Sequence, residues 1–263
     1  MKHRKCHARS ARFENPGLLF VLLLALITRP LSAATVSWIG GSGDWNTATN
    51  WNTGALPGTN DDVVISPVAT SITVTHSSGT HSVKSLMSQR AFQLTGGSLT
   101  VSNTVQVNNM FTLAGGTLAQ ATVLQGTNGA GLIVNGSGTL NGVTVNGILD
   151  VGNSYYNNYG ASLTVANGLV LNGTALVGNP TNNWQGGIGF AGSQTLSGAG
   201  AVVFGSSGNN SFWLSSGGST LTIGPGITAG RRIGAGLGGA SGRDGGRQDD
   251  AAFGSWENAV SFE

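Results

Sequence analysis

The sequence predicts an all-β protein wound as a right-handed parallel β-helix (a β-solenoid), and three observations lead to this prediction. Between residues 63 and 230, short runs alternate apolar and small polar residues, as in Ser98-Leu99-Thr100-Val101. Period-two runs of this length, bounded by Gly, Asn or Ser, are typical of β-strands. The same stretch contains no Glu and only three charged residues, Lys84, Arg90 and Asp150, so it lacks the charged face of a soluble helix. The third observation is that the strand pattern repeats.

The clearest repeat relates residues 92–99 to residues 111–118, which share the pattern Phe-x-Leu-x-Gly-Gly-Ser/Thr-Leu at a spacing of 19. A weaker copy ends at Leu140, at a slightly longer spacing from Leu118. Periods near 20 are typical of solenoids, in which each coil buries its inward side chains on the next coil. We therefore expect Leu99 and Leu118 to stack on adjacent strands, in a solenoid of about eight coils. The alternative fold is a β-sandwich with coincidental Gly-rich turns.

Residues 1–34 have the pattern of a secretory signal peptide. Basic residues precede an apolar run at residues 17–27, and the small residues Ser32-Ala33-Ala34 follow. A run of about 11 apolar residues is too short to span the roughly 30 Å hydrocarbon core of a bilayer. We predict cleavage after Ala34, a mature chain without a membrane span, and an extracellular or cell-surface location.

Removal of the signal peptide changes the charge of the protein. The chain has 12 basic and 10 acidic residues, of which six basic and one acidic residue lie in residues 1–34. The remaining six basic and nine acidic residues give a formal charge near −3, without the basic patch that nucleic-acid binding requires. Cys6, the only cysteine, is also lost, so we expect neither nucleic acid as a partner nor disulfides.

The predicted leader and coils resemble a known group of proteins. The features that carry the resemblance are the Gly-Gly-Ser/Thr-Leu coils, residues 196–205, the Trp/Asn/Gly-rich residues 38–52 and the segment 54–65. They look like the β-strand-repeat proteins of bacterial surfaces, many of which are adhesins of the autotransporter or haemagglutinin type with parallel β-helix passengers. The resemblance covers about residues 36–230. It implies an exported structural or adhesive protein whose partner is a surface glycan or a host-cell ligand.

Residues 35–62 form a leader rich in Trp, Asn and Gly, and we consider two interpretations of it. Trp38, Trp45 and Trp51 would cap the first coil, whose apolar cross-section and strand edges must be covered. Alternatively, the three indoles would stack on sugar rings while Asp44 hydrogen bonds to sugar hydroxyls, as in a carbohydrate-binding module. We favour the cap.

Two acidic residues at the end of the leader suggest a metal site. Asp61 and Asp62, together with Asp44 and nearby Asn carbonyl groups, offer the oxygen ligands that Ca²⁺ prefers. However, an Asp pair before a strand more often forms a turn that hydrogen bonds to its own backbone. No cofactor other than calcium is suggested.

Catalysis has little support in the sequence. Asp150 is the only acid between residues 63 and 230, whereas glycoside hydrolysis needs two carboxylates. His76 and His81, with Lys84 close by, could begin a catalytic triad, but no acid is local to orient them. We therefore predict no catalytic residues, and a polysaccharide-degrading β-helix enzyme is only a distant alternative.

Two segments interrupt the repeat and are predicted to be loops between coils. One contains Tyr155, Tyr156 and Tyr159, and the other contains Trp184. Because recognition residues concentrate on loops, these four aromatic residues are candidate ligand contacts.

Residues 231–263 differ in composition from the coils that occupy residues 63–230. They hold four arginines, three aspartates and two glutamates among glycines. We expect either a disordered tail or a segment out of register with a longer repeat protein. Because nothing in the tail resembles a cap, we also expect self-association through an open end of the solenoid.

Overall fold

The structure, a computed structural model, describes residues 34–66, 71–129, 131–154 and 160–231. In these residues the chain forms an all-β parallel β-helix whose only helical element is a 3₁₀ turn at Ala48–Asn50. All strand ladders are parallel, apart from an isolated antiparallel bridge between Trp38 and Trp51. The predicted solenoid is confirmed and the sandwich alternative is wrong. The right-handed winding of the solenoid stays a prediction, which is based on the strong preference of parallel crossover connections for that hand.

The strands lie on three faces, which we call A, B and C. Face A comprises β1 (Thr35–Ser37), β3 (Asp62–Ile65), β6 (Ser85–Ser88), β9 (Thr104–Val107), β12 (Thr122–Leu124), the second halves of β14 (Ser137–Val145) and β16 (Ala161–Leu171), β19 (Gln194–Ser197) and β22 (Leu221–Ile223). Face B comprises β5 (Thr80–Val83), β8 (Ser98–Val101), β11 (Thr117–Ala119), the first halves of β14 and β16, β18 (Gly186–Ala191) and β21 (Ser211–Leu214). Face C comprises β2 (Gly43–Asp44), β4 (Thr73–His76), β7 (Ala91–Leu94), β10 (Phe111–Leu113), β13 (Leu132–Val134), β15 (Ile148–Val151), β17 (Thr174–Val177), β20 (Ala201–Phe204) and β23 (Thr228–Arg231).

Each turn of the solenoid visits the faces in the order A, C, B. From β3 to β21 the chain completes seven such turns, with a partial turn at each end of the described region. Faces A and B belong to one 14-stranded sheet, while face C is a separate nine-stranded sheet. The described region contains no helix long and apolar enough to cross a membrane.

The core consists of columns of inward side chains that run from coil to coil. Leu99 pairs with Leu118, and Leu118 pairs with Leu140; all three are fully buried. Phe92 pairs with Phe111 in the same way on face C. Burial of one such side chain stabilises the fold by roughly 1.5–3 kcal/mol relative to exposure. The register that the sequence repeat predicted is therefore confirmed.

The coil length is not constant along the chain. On face A, Val105 pairs with Val123 in an early coil, whereas Leu196 pairs with Ile223 in a late one, so the separation between stacked positions grows by half. The additional chain lengthens strands such as β14 and β16 and the connections between faces, including residues 178–185. The expected period near 20 thus holds only for the N-terminal coils.

Faces A and B meet at a corner that β14 and β16 turn without interruption. The backbone is left-handed there, with φ of 61° at Gly142 and 56° at Asn167. Gly adopts this conformation freely and Asn tolerates it better than most residues. The Asn167 side-chain amide donates a hydrogen bond to Asn141 Oδ1 at 2.7 Å, so amide groups of successive coils support the corner.

Candidate functional site

The three leader tryptophans are buried. Trp38, Trp45 and Trp51 are 4%, 0% and 1% exposed. Trp51 lies edge-to-face between the other two, with ring centroids 4.9 Å from Trp38 and 4.7 Å from Trp45. Its indole N–H donates to the Trp45 carbonyl oxygen at 2.9 Å. No indole face of these three residues is exposed for stacking on a sugar, so their burial favours the predicted cap over the carbohydrate platform that was its alternative.

The tryptophan cluster continues into the first coils of the solenoid. The Trp45 ring packs against Phe92 with centroids 5.9 Å apart, and it also contacts the rings of His76 and His81. The backbone N–H of Trp38 donates to the Val64 carbonyl oxygen on β3 at 2.9 Å. This arrangement is what the cap interpretation of the leader requires.

His76 and His81 form a hydrogen-bonded pair beside this cluster. His76 Nδ1 lies 2.9 Å from the Gly96 carbonyl oxygen, and His76 Nε2 lies 2.9 Å from His81 Nδ1. Since a carbonyl only accepts, His76 Nδ1 carries a proton and its Nε2 accepts from His81 Nδ1–H. Burial lowers the pKa of both histidines below the ordinary 6.5, which favours this neutral pair.

Asp44 lies near the pair but makes its own contacts. Its Oδ1 accepts the Asn46 backbone N–H at 2.8 Å. Partial burial acts to raise the pKa of Asp44, but hydrogen bonds from Ser77 and Asn46 outweigh it and hold this pKa below 3.8. Within the described residues, no hydroxyl group hydrogen bonds to either imidazole, so the pair braces β4 against β5 and is not joined to a nucleophile.

Asp61 and Asp62 each have a hydrogen-bond partner of their own, and Asp62 lies on face A whereas Asp44 lies on face C. Asp61 Oδ2 accepts the Gly58 N–H at 2.7 Å, closing a turn. Asp62 accepts a bond from Lys84 Nζ at 2.9 Å and another from the Ser85 hydroxyl. Bonds from Ser85 and Lys84 lower the pKa of Asp62 below 3.8. These carboxylates therefore do not converge on a calcium site, and the described part of the chain holds no cluster of three metal-binding side chains.

The two predicted loops are described only in part. Tyr155, Tyr156 and Tyr159 lie outside the described residues, as do residues 1–33 of the predicted signal peptide (residues 1–34) and residues 232–263 of the predicted tail (residues 231–263). Trp184 is partly buried; its backbone N–H donates to Asn182 Oδ1 at 2.9 Å.

Asp150, the isolated acid of the coils, points outward from face C but is only 3% exposed. It lies between Ile133 and Leu176 in the strand register and lines a cavity of about 220 Å³. Its Oδ1 accepts the backbone N–H groups of Asn153 at 2.8 Å and Ser154 at 3.2 Å. Asp150 therefore anchors the start of the loop that follows β15.

Face B carries an outward column that our sequence reasoning missed. In register, a hydroxyl-bearing side chain occupies the same position in five successive coils, followed by a glycine and a tryptophan: Thr80, Ser98, Thr117, Thr139, Thr164, Gly189 and Trp213. The signal was present in the repeat, because three of these residues directly precede the stacked Leu99, Leu118 and Leu140. Alternation in β21 also places Trp213 outward, since Phe212 packs inward against Phe190.

Trp213 is an exposed tryptophan at the end of this column, with 38% of its surface accessible. Its indole lies against the backbone of β18 at Gly187 and Gly189. A Cβ on either glycine would lie 2.5 Å from a ring atom, so only glycine leaves room for the ring. The column and the indole together are the candidate functional site.

Comparisons with protein-family models, with curated proteins and with solved structures found no match to this chain.

Proposed function

We propose that the protein is exported and acts outside the cell or at its surface as a non-catalytic structural or adhesive scaffold. The observation that supports this best is the distribution of charged groups on the solenoid. Between Arg90 and Arg231 the chain carries one charged side chain, Asp150, and its carboxylate holds its own loop. The other outward positions of the described coils present mainly hydroxyl, amide and small apolar groups. Such a surface suits extended contact with a partner better than acid–base chemistry, which needs titratable side chains at the reacting atoms.

The long parallel stack supports a scaffold role. Each coil hydrogen bonds to the next along three faces, and the inward columns are mainly apolar, with His76, His81 and Ser88 as polar members in the first coils. In such a quasi-linear fold the binding surface grows with the number of coils. An adhesin of this kind would use repeated weak contacts along one face.

Export is tested by producing the full chain in a Gram-negative host and sequencing the N-terminus of the exported protein. We expect Thr35 as the first residue, with the protein outside the cytoplasm and accessible to added protease. Leu23→Arg, which places a charge in the apolar run, is the matched variant and should remain inside with residues 1–34 intact. A wild-type chain that stays in the cytoplasm uncleaved would contradict the proposal.

Adhesion is tested with the same two strains. Cells that export the protein should be retained under flow on glycan-coated glass more strongly than cells with Leu23→Arg. Equal retention of the two strains on all surfaces would leave only a structural role.

A further inference from the structure

The described strands of face B carry no Asp, Glu, Lys or Arg, whereas face A has Asp62 and face C has Asp44, Asp150 and Arg231. Apart from His81 on β5, the described strands of face B carry no ionisable side chain. The central column of face B is a row of hydroxyls about 4.8 Å apart, the spacing between adjacent strands. A second outward column adds Ser137, Ser162 and Ser211. The result is a neutral surface on which hydroxyl groups both donate and accept hydrogen bonds.

The indole of Trp213 gives this surface one large aromatic group. Trp213 belongs to β21 but leans across β18, where Gly187 and Gly189 form its floor. The next strand in this direction is β16, where Thr164 is the register partner of Gly189. The indole therefore lies in line with the hydroxyl column, with one face on glycine backbone and an exposed side toward solvent.

We propose that face B binds a neutral polysaccharide, with Trp213 as the stacking platform and Thr164 and Thr139 as the nearest hydrogen-bonding rungs. The negative face of an indole attracts the C–H faces of a sugar ring. The hydroxyl rungs match the donor and acceptor hydroxyls of successive sugars. An anionic or cationic polymer is disfavoured because the face offers no opposite charges.

This inference rests on the proposed adhesive function and identifies its ligand class. It assigns binding to the last coils on face B instead of the leader tryptophans. It also explains why glycine occupies two outward positions of β18, where the preceding strand β16 has Ser162 and Thr164.

The test is affinity electrophoresis of the purified exported protein in gels that contain a soluble neutral polysaccharide: a β-glucan, a xylan or a mannan. We expect at least one to retard the wild type. Trp213→Ala should weaken that binding about tenfold or more, and Trp213→Tyr should restore part of it. Met87→Ala is the control, since Met87 is also 38% exposed but lies on face A.

The hydroxyl column has its own matched control. Thr139→Val and Thr164→Val each remove one hydroxyl with little change of volume, and each should weaken binding by about two- to tenfold, the value of one hydrogen bond. Thr122→Val makes the same change in the threonine row of face A (Thr104, Thr122 and Thr144) and should have no effect.

Three results would overturn the proposal. They are the absence of retardation by all three polysaccharides, equal binding by the wild type and Trp213→Ala, and a Trp213→Ala variant that changes only the sedimentation of the protein. The last would identify face B as a contact between copies of the chain. Circular dichroism confirms that each variant is folded. Failure of export would leave these binding results intact, so the two proposals fail separately.

Discussion

Tryptophan occurs near both ends of the described part of the solenoid, but its side chain is placed in opposite ways. At the N-terminal end, Trp45 is fully buried among Trp51, Phe92 and two histidines. At the C-terminal end, Trp213 lies on the outside of face B and is 38% exposed. The difference shows that the direction of the side chain from the coil, and not local composition, decides whether an indole is buried in the core or presented to solvent.

The largest expected difference between the ends is in stability. Trp45→Ala should lower the free energy of unfolding by about 3–5 kcal/mol, because it leaves a cavity in the core. Trp213→Ala should lower it by less than about 1 kcal/mol, since the ring is partly on the surface. Chemical denaturation measures both values.

Trp45→Phe refines this comparison. The Trp45 indole N–H has no hydrogen-bond partner among the described residues, so its removal forfeits no hydrogen bond. We expect Trp45→Phe to cost clearly less than Trp45→Ala. Equal losses from Trp45→Ala and Trp213→Ala would refute the contrast between the two ends.

The second prediction concerns the glycine floor of Trp213. Gly189→Ala places a methyl group where the indole now lies, so the ring must rotate away from β18. We expect a red shift of tryptophan fluorescence, a weaker affinity for the polysaccharide that binds the wild type, and a loss of about 1 kcal/mol in stability. Gly192→Ala is not a suitable control, because φ is 76° there and alanine would strain the backbone. Gly208→Ala is a better control, since a Cβ at Gly208 would have no atom within 4 Å. Unchanged fluorescence in Gly189→Ala would contradict the placement of the ring.

The third prediction is a pH dependence confined to the N-terminal coils. The pKa values of His76 and His81 are lowered from 6.5 in the folded protein. As pH falls through 6.5, the unfolded protein therefore binds protons before the folded protein does. The contribution of the pair to stability is therefore complete above pH 6.5 and is lost as pH falls through the lowered pKa values. The negative charge of Asp44 raises the pKa of both imidazoles and so offsets part of this loss.

Hydrogen exchange measures this effect by region. Between pH 7.5 and pH 5, and after correction for the intrinsic exchange rate, protection should fall in β4 and β5 but not in β17 and β20, which have no histidine. His76→Gln should flatten the pH dependence. A loss of protection that is uniform along the solenoid would argue against the histidine pair as its cause.

The smallest effect is expected at the surface of face A. Lys84 and Asp62 form an ion pair at 2.9 Å, with side chains that are 43% and 35% exposed. Exposed pairs of this kind contribute about 0–1 kcal/mol. Lys84→Met should therefore change the unfolding free energy by less than about 1 kcal/mol, and a larger loss in calorimetry would show that the first coils depend on this pair.

Much of the fold could be predicted from local patterns. Alternation with period two places Leu99 inward and Ser98 outward, and the spacing of the repeat aligns Leu99 with Leu118. Both relations depend only on neighbouring residues and on a repeat, so they are visible in one sequence. The buried role of the leader tryptophans was also favoured, since an uncovered first coil would expose apolar surface.

The length of each coil and the contacts between residues distant in sequence depend on the positions of the corners between faces. The growth of the coils toward the C-terminal end comes from the lengths of loops and long strands, and no local pattern specifies it. Asp62 and Lys84 are far apart in sequence, and their pairing follows from the register of β3 with β6.

By itself, then, the sequence determined which side chains face the core and that the coils stack in parallel. Tertiary structure decided which outward residues share a face: the hydroxyl column of face B, the glycines of β18 and the indole of Trp213 meet only after seven turns. The physical reason is that the hydrophobic effect determines the inward residues within each coil separately. Which outward residues become neighbours depends instead on the length of every coil and on the positions of its corners.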